Sequence, residues 1–103
     1  MEQMAMTCVQ IITFVGTAKS KYMEAIQEAK AGEFETAEKL MTEGREVYLE
    51  GHKVHFELIQ KESGGEKLEL SILLMHAEDQ LMAAETVRLM ADEFIALYKK
   101  VLN

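Results

Sequence analysis

The sequence predicts an all-α fold, an antiparallel up-down-up three-helix bundle in one domain spanning residues 1–103. Three observations carry this. Proline is absent, aromatics make up only 7%, and Ala, Glu, Lys, Leu and eight Met dominate, which favours helices. Apolar residues recur at helical rather than strand spacing. Only two glycine breakpoints, Gly32 and the cluster Ser63-Gly64-Gly65, interrupt the chain, leaving segments of roughly 30 to 37 residues. Short connections between long helices favour antiparallel neighbours.

In the first segment the apolar series is Val9, Ile12, Val15 or Gly16, Ala18, Tyr22, Ala25 or Ile26, and Ala29. Gly16 costs about 1 kcal/mol against Ala inside a helix, so it marks a kink or a close helix contact. Ala31-Gly32 matches a C-terminal glycine cap. The second helix is expected from about Glu33 to Glu62, burying Phe34, Ala37, Leu40, Met41, Gly44, Val47, Tyr48, Gly51, Val54, Leu58 and Ile59. The third is expected from about Glu66 to Leu102, with Glu66 and Glu69 at its positive end and Lys99 and Lys100 at its negative end. The segment EAIQEAKAGEFETAEKL resembles half of a tetratricopeptide repeat, but no second copy follows about 34 residues later, and a repeat array needs several.

The third helix carries too much apolar surface for a three-helix monomer. At about 100° per residue, with His76 at zero, Leu70, Leu74, Ala77, Leu81, Ala84 and Ile95 fall on one flank. Ile72, Met75, Met82, Leu89, Met90 and Leu97 fall on the other, and His76 lies between them in line with Ala83, Val87 and Phe94. Lys67, Glu78, Glu85, Asp92 and Lys99 occupy the back. One apolar flank serves the bundle and the other is left for a neighbouring subunit, so a homo-oligomer with His76 near its seam is expected. Asp79 falls on the second flank, where an ionised carboxylate needs solvent, a hydrogen bond or a cation. Around a symmetry axis, copies of Asp79 could share a divalent ion through oxygen ligands.

His76 reads most simply as a partly buried, hydrogen-bonded residue. Asp79 and Gln80, three and four residues on, place an acceptor and a donor beside it. Neutral imidazole is a good nucleophile at about pH 7 and could attack an activated phosphoryl group, with the Gln80 amide steadying the added charge. Other chemistry has less support. Cys8 lacks a paired base and reads as a small apolar residue. His52 and His55 form a pair too sparse for a metal site and read as surface or core histidines. Glycine-rich phosphate loops, H-E-x-x-H and C-x-x-C are absent.

The formal charge of −7 repels nucleic acid, so no nucleic-acid partner is expected. A lone cysteine fits a reducing compartment. No stretch approaches the roughly 18 apolar residues of a membrane span, and MEQMAMTCVQIITFVG has acid rather than base before its apolar part. A cytoplasmic protein is expected.

The blocks AKSKYMEAIQEAKAGEFETAEKLM, HKVHFELIQKESGGEKLELSILLMHAEDQLMAAE and EFIALYKK resemble the IIA component of the lactose/cellobiose family of the bacterial sugar phosphotransferase system. The likeness runs from about Ile11 to Lys100 and is most specific in H-A-x-D-x-L-M, His76 to Met82. It implies a homotrimer of three-helix subunits. It implies that His76 is the catalytic residue, accepting a phosphoryl group from the phosphocarrier HPr and passing it to a cysteine of the IIB component. The membrane IIC component then moves a β-linked disaccharide such as cellobiose or lactose. The resemblance further implies that Asp79 binds a divalent metal, usually taken as magnesium in the family, at the trimer axis. This sequence departs from the usual H-A-Q-D-H-L-M at Glu78 and Gln80, and His55-Phe56 replaces a common Gln-Thr pair. The alternative from the residues alone is a non-catalytic helical oligomeric interaction module whose His and Asp specify assembly.

Overall fold

A computed structural model describes residues 2–102. It contains three helices: α1 (Glu2–Lys30), α2 (Phe34–Ser63) and α3 (Ile72–Val101). They pack as the expected up-down-up bundle, a rod of 54 × 21 × 19 Å. The antiparallel order follows from two apolar clusters. One joins Tyr22, Ala25 and Ala29 of α1 to Ala37, Leu40 and Met41 of α2 and to Ala91 and Ile95 of α3. The other joins Cys8, Ile11 and Val15 to Leu58 and to Leu74, Ala77, Leu81 and Ala84. The early part of α1 therefore sits beside the late part of α2 and the early part of α3.

Both turns are built the same way. Gly32 has φ 84° and Gly65 φ 98°, in the left-handed region that suits a residue without Cβ. At the first turn Glu33 N–H donates to the Glu28 carbonyl and Gly32 N–H to Ala29, and at the second Glu66 N–H donates to Lys61 and Gly65 N–H to Glu62. These pairs satisfy carbonyls that the helix ends leave open. After the first turn α2 begins at once.

After the second turn it does not. The third helix starts at Ile72, six residues later than the sequence reading placed it, and Glu66–Ser71 carries no regular structure. Ser71 is the reason. Its backbone is extended at φ −149° and ψ 161°, and its hydroxyl accepts from Leu74 N–H at 3.0 Å, a strong helix start. The first turn of α3 consequently holds no acid, whereas Lys99 and Lys100 do sit in its last turn.

Close approach of α1 to α2 depends on glycine in α2, not on Gly16. A Cβ at Gly44 would stand 2.6 Å from Tyr22 Cε1, and one at Gly51 2.8 Å from Val15 Cγ1. At Gly16 a Cβ would meet nothing within 4 Å, and α1 runs unbroken through it. The buried stripe of α1 includes Cys8 and Ile11, while Val9 is 52% exposed. Ile59, expected inside, is 45% exposed on α2.

Candidate functional site

The sorting of α3 into two flanks holds in three dimensions. Leu74, Ala77, Leu81, Ala84 and Ile95 are buried. Leu70 of the expected inner flank is the exception, 78% exposed because it precedes the helix. On the other flank Ile72, Met75, Met82, Leu89, Met90 and Leu97 are all at least half exposed. Phe94 and Val101 extend the same uncovered face. Scattered exposed apolar residues are ordinary, but a continuous row along a whole helix is the mark of an interaction surface.

His76 lies on the margin of that face, one turn past the Ser71 cap, and its ring is open to solvent rather than sealed in the bundle. Asp79 lies within the face and is also exposed, while Gln80, on the side toward the bundle, is half-buried. Among the described residues neither Asp79 nor the His76 ring takes part in a hydrogen bond or ion pair, so the expected bond from Asp79 or Gln80 to His76 is not formed. Among the same residues no three His, Cys, Asp or Glu side chains stand close enough to hold an ion together. Three clefts of about 260, 190 and 140 Å³ lie near this end of the rod, and His76 lines none of them.

The charged back of α3 is a seam against α2. Glu78 Oε2 accepts from His55 Nε2 at 2.8 Å, Asp92 pairs with Arg45 at 3.7 Å, and Lys99 donates to Glu38 at 3.1 Å. In the sequence Glu78 and His55 stand as separate departures from the family pattern. The fold brings them into contact, and the shared oddity of both positions was the available signal. The pair is partly desolvated, with the His55 side chain 14% exposed. His52, three residues earlier, instead tilts against the Tyr48 ring and does not join it. Burial, and then the nearby Glu78 charge, push the Cys8 thiol up from its ordinary range, which fits an unreactive packing residue.

A family model described as the PTS system lactose/cellobiose-specific IIA subunit matches residues 6–99. The chain belongs to the lactose/cellobiose-specific IIA family of the phosphotransferase system. It is 45% identical over 100 residues to the lichenan-specific phosphotransferase enzyme IIA component of Bacillus subtilis, covering 97% of this chain and 91% of that relative. Among solved structures it is similar to the cellobiose-specific enzyme IIA of Bacillus anthracis, with 47% identity and a TM-score of 0.92 over 93% of this chain and 88% of that one. It is also similar to the chitobiose IIA protein solved as a complex with HPr from Escherichia coli, with 31% identity, a TM-score of 0.82 and 94% of each chain covered. Among the described residues no helix is long and apolar enough to cross a membrane.

Proposed function

We propose that this IIA component is a cytoplasmic phosphohistidine carrier. His76 accepts a phosphoryl group from HPr and passes it to a cysteine of the IIB component, which serves uptake of a β-linked disaccharide such as cellobiose or lactose through the IIC component. The observation that carries the reading is the placement of His76: an exposed imidazole on the margin of an uncovered apolar face, outside the three clefts at this end of the rod. A nucleophile that must meet two protein partners in turn needs such access. So exposed a site also fits completion by neighbouring chains.

In the transfer, a His76 ring nitrogen forms a bond to phosphorus as the bond from phosphorus to the donor breaks, so no oxidant or reductant is needed. The protein's part in such a loose transition state is to orient the groups and stabilise charge. The Gln80 amide, one turn from His76, supplies N–H donors to the phosphoryl oxygens.

Packing the uncovered faces of three copies of α3 about one axis buries the apolar row and gathers three Asp79 carboxylates. Like charges so gathered repel, and a hard divalent cation such as Mg²⁺ is suited to oxygen ligands of this kind. The ion would neutralise the carboxylates and join the subunits, leaving the phosphoryl chemistry to His76. Support for the fit is Asp79 on a largely apolar surface, with no hydrogen bond or ion pair and too few neighbouring ligands to hold an ion among the described residues of one chain.

Incubation with phosphoenolpyruvate, enzyme I and HPr is expected to give an acid-labile phosphoryl adduct that disappears in His76→Ala; a wild-type chain that stays unmodified sinks the proposal. For the metal, chelation is expected to lower Tm in the wild type and to leave Asp79→Leu unaffected. Equal chelator sensitivity in both proteins would exclude Asp79 as the ligand.

A further inference from the structure

We propose that His55 is a positioning residue for His76, acting through Glu78. The inference rests on the phosphocarrier reading and adds to it a residue on another helix.

His76 is the fifth residue of α3, and Glu66–Ser71 before the helix has no regular structure to brace it. The direction of the ring is therefore set by what grips the first turns from the sides. On one side Leu74, Ala77 and Leu81 pack with Cys8 and Ile11 of α1. Apolar packing of this kind resists separation but is not directional. A helix held along one line can still rock about it, carrying His76 through an arc.

The His55–Glu78 hydrogen bond grips the same stretch from the α2 side, roughly 90° round the helix from the centre of the α1 contact. It is directional, and Leu58 packs beneath it as part of the same apolar cluster. The next polar links between α2 and α3 among the described residues are Tyr48–Glu85, about 10 Å further along by helix rise, then Arg45–Asp92 and Glu38–Lys99, about 20 and 30 Å along. The last two are exposed pairs of low expected worth. His55–Glu78 is thus the directional contact nearest to the His76 turn and the one that sets its rotation. Glu78 lies about 160° round the helix from His76, so the pair acts on the orientation of the ring and does not touch the phosphoryl group.

Orientation matters because the ring nitrogen must lie in line with the breaking bond as its own bond to phosphorus forms. Misplacement of a reacting atom by about 1 Å can cost about a hundredfold in rate. A loosened turn that still visits the right geometry should lose less.

The test compares His55→Ala with the double exchange His55→Gln/Glu78→Gln, which keeps a donor facing an acceptor without charge. HPr-dependent phosphorylation of the full chain gives kcat and KM, and hydrogen exchange reports on the amides of residues 75–82 in natively folded protein. In His55→Ala, kcat is expected to fall about tenfold with KM for HPr changed less than about twofold, and exchange to quicken. The Gln pair is expected to restore both. A role limited to stability would lower Tm and leave kcat untouched while the protein stays folded. Unchanged kcat in folded His55→Ala, a loss confined to KM, or unchanged exchange over residues 75–82 overturns the proposal. If the wild type accepts no phosphoryl group, the phosphocarrier reading fails on its own, and the exchange measurement still decides whether His55 orders the His76 turn.

Discussion

Tyr22 shows how one side chain can serve packing and carry a cost. It is fully buried, its ring fills the space left by Gly44, and its hydroxyl has no hydrogen-bond partner among the described residues. Burial, followed by the Glu85 charge, pushes its pKa from 10.0 up to about 12. The neutral phenol is therefore the form the fold favours. Below about pH 10 the associated stability is fully present, and it is lost as pH rises toward 12, because the unfolded chain ionises first. Tyr22→Phe removes an unpaired polar atom and keeps the ring. It is expected to change stability at about pH 7 by no more than roughly 1 kcal/mol, in the stabilising direction, because no bond is broken. It should also flatten the alkaline loss. Denaturant midpoints of both proteins at about pH 8 and pH 11 check the two statements, the ionising phenol being the tested group.

Among the helices, the same residue type has opposite value at different positions. Gly44 and Gly51 let α2 approach α1, whereas Gly16 faces open space. Gly44→Ala must displace the Tyr22 ring and meets the Ala18 carbonyl oxygen at 3.3 Å, so a loss of about 1–3 kcal/mol is expected from overpacking. Gly16→Ala is expected to gain about 0.5–1 kcal/mol, since only helix propensity changes. Thermal denaturation of the two variants should move Tm in opposite directions. The sequence pattern placed Gly44 and Gly51 on the buried side, but nothing in the pattern said that Gly16 would lack a neighbour. Similarly, Ser63-Gly64-Gly65 marked the end of α2, whereas the start of α3 was set by the Ser71 hydroxyl reaching Leu74 N–H. Ser71 ahead of an apolar run was a readable capping signal that the acids at Glu66 and Glu69 outweighed.

The described residues form a rod with a bare apolar side along α3. Its apolar face on α3 is expected to hold copies together, and Met82, 63% exposed and outside both buried clusters, is suited to test it. Met82→Glu puts a charge where the proposed faces meet and should shift the mass seen by analytical ultracentrifugation toward that of a monomer. Helical circular dichroism should stay unchanged, since the residue contributes nothing to the inner core. Unaltered mass in a folded variant would move the contact elsewhere.

Read alone, the sequence determined the helical class, both glycine turns, the up-down-up order, the division of α3 into an inner and an outer flank, and His76 and Asp79 as the residues out of keeping with their surroundings. Each of these follows from local propensity, from the shortness of the connections or from a period of 3.6 residues, which one chain carries in full. Tertiary structure alone decided that the charged back of α3 is a seam with α2, that His55 meets Glu78, and that glycine at positions 44 and 51 rather than 16 sets the helix spacing. A helical wheel gives directions around one axis and is silent on what stands in each direction. Pairing two residues 23 positions apart requires the relative rotation and offset of two helices, and those are settled only when all three faces pack together.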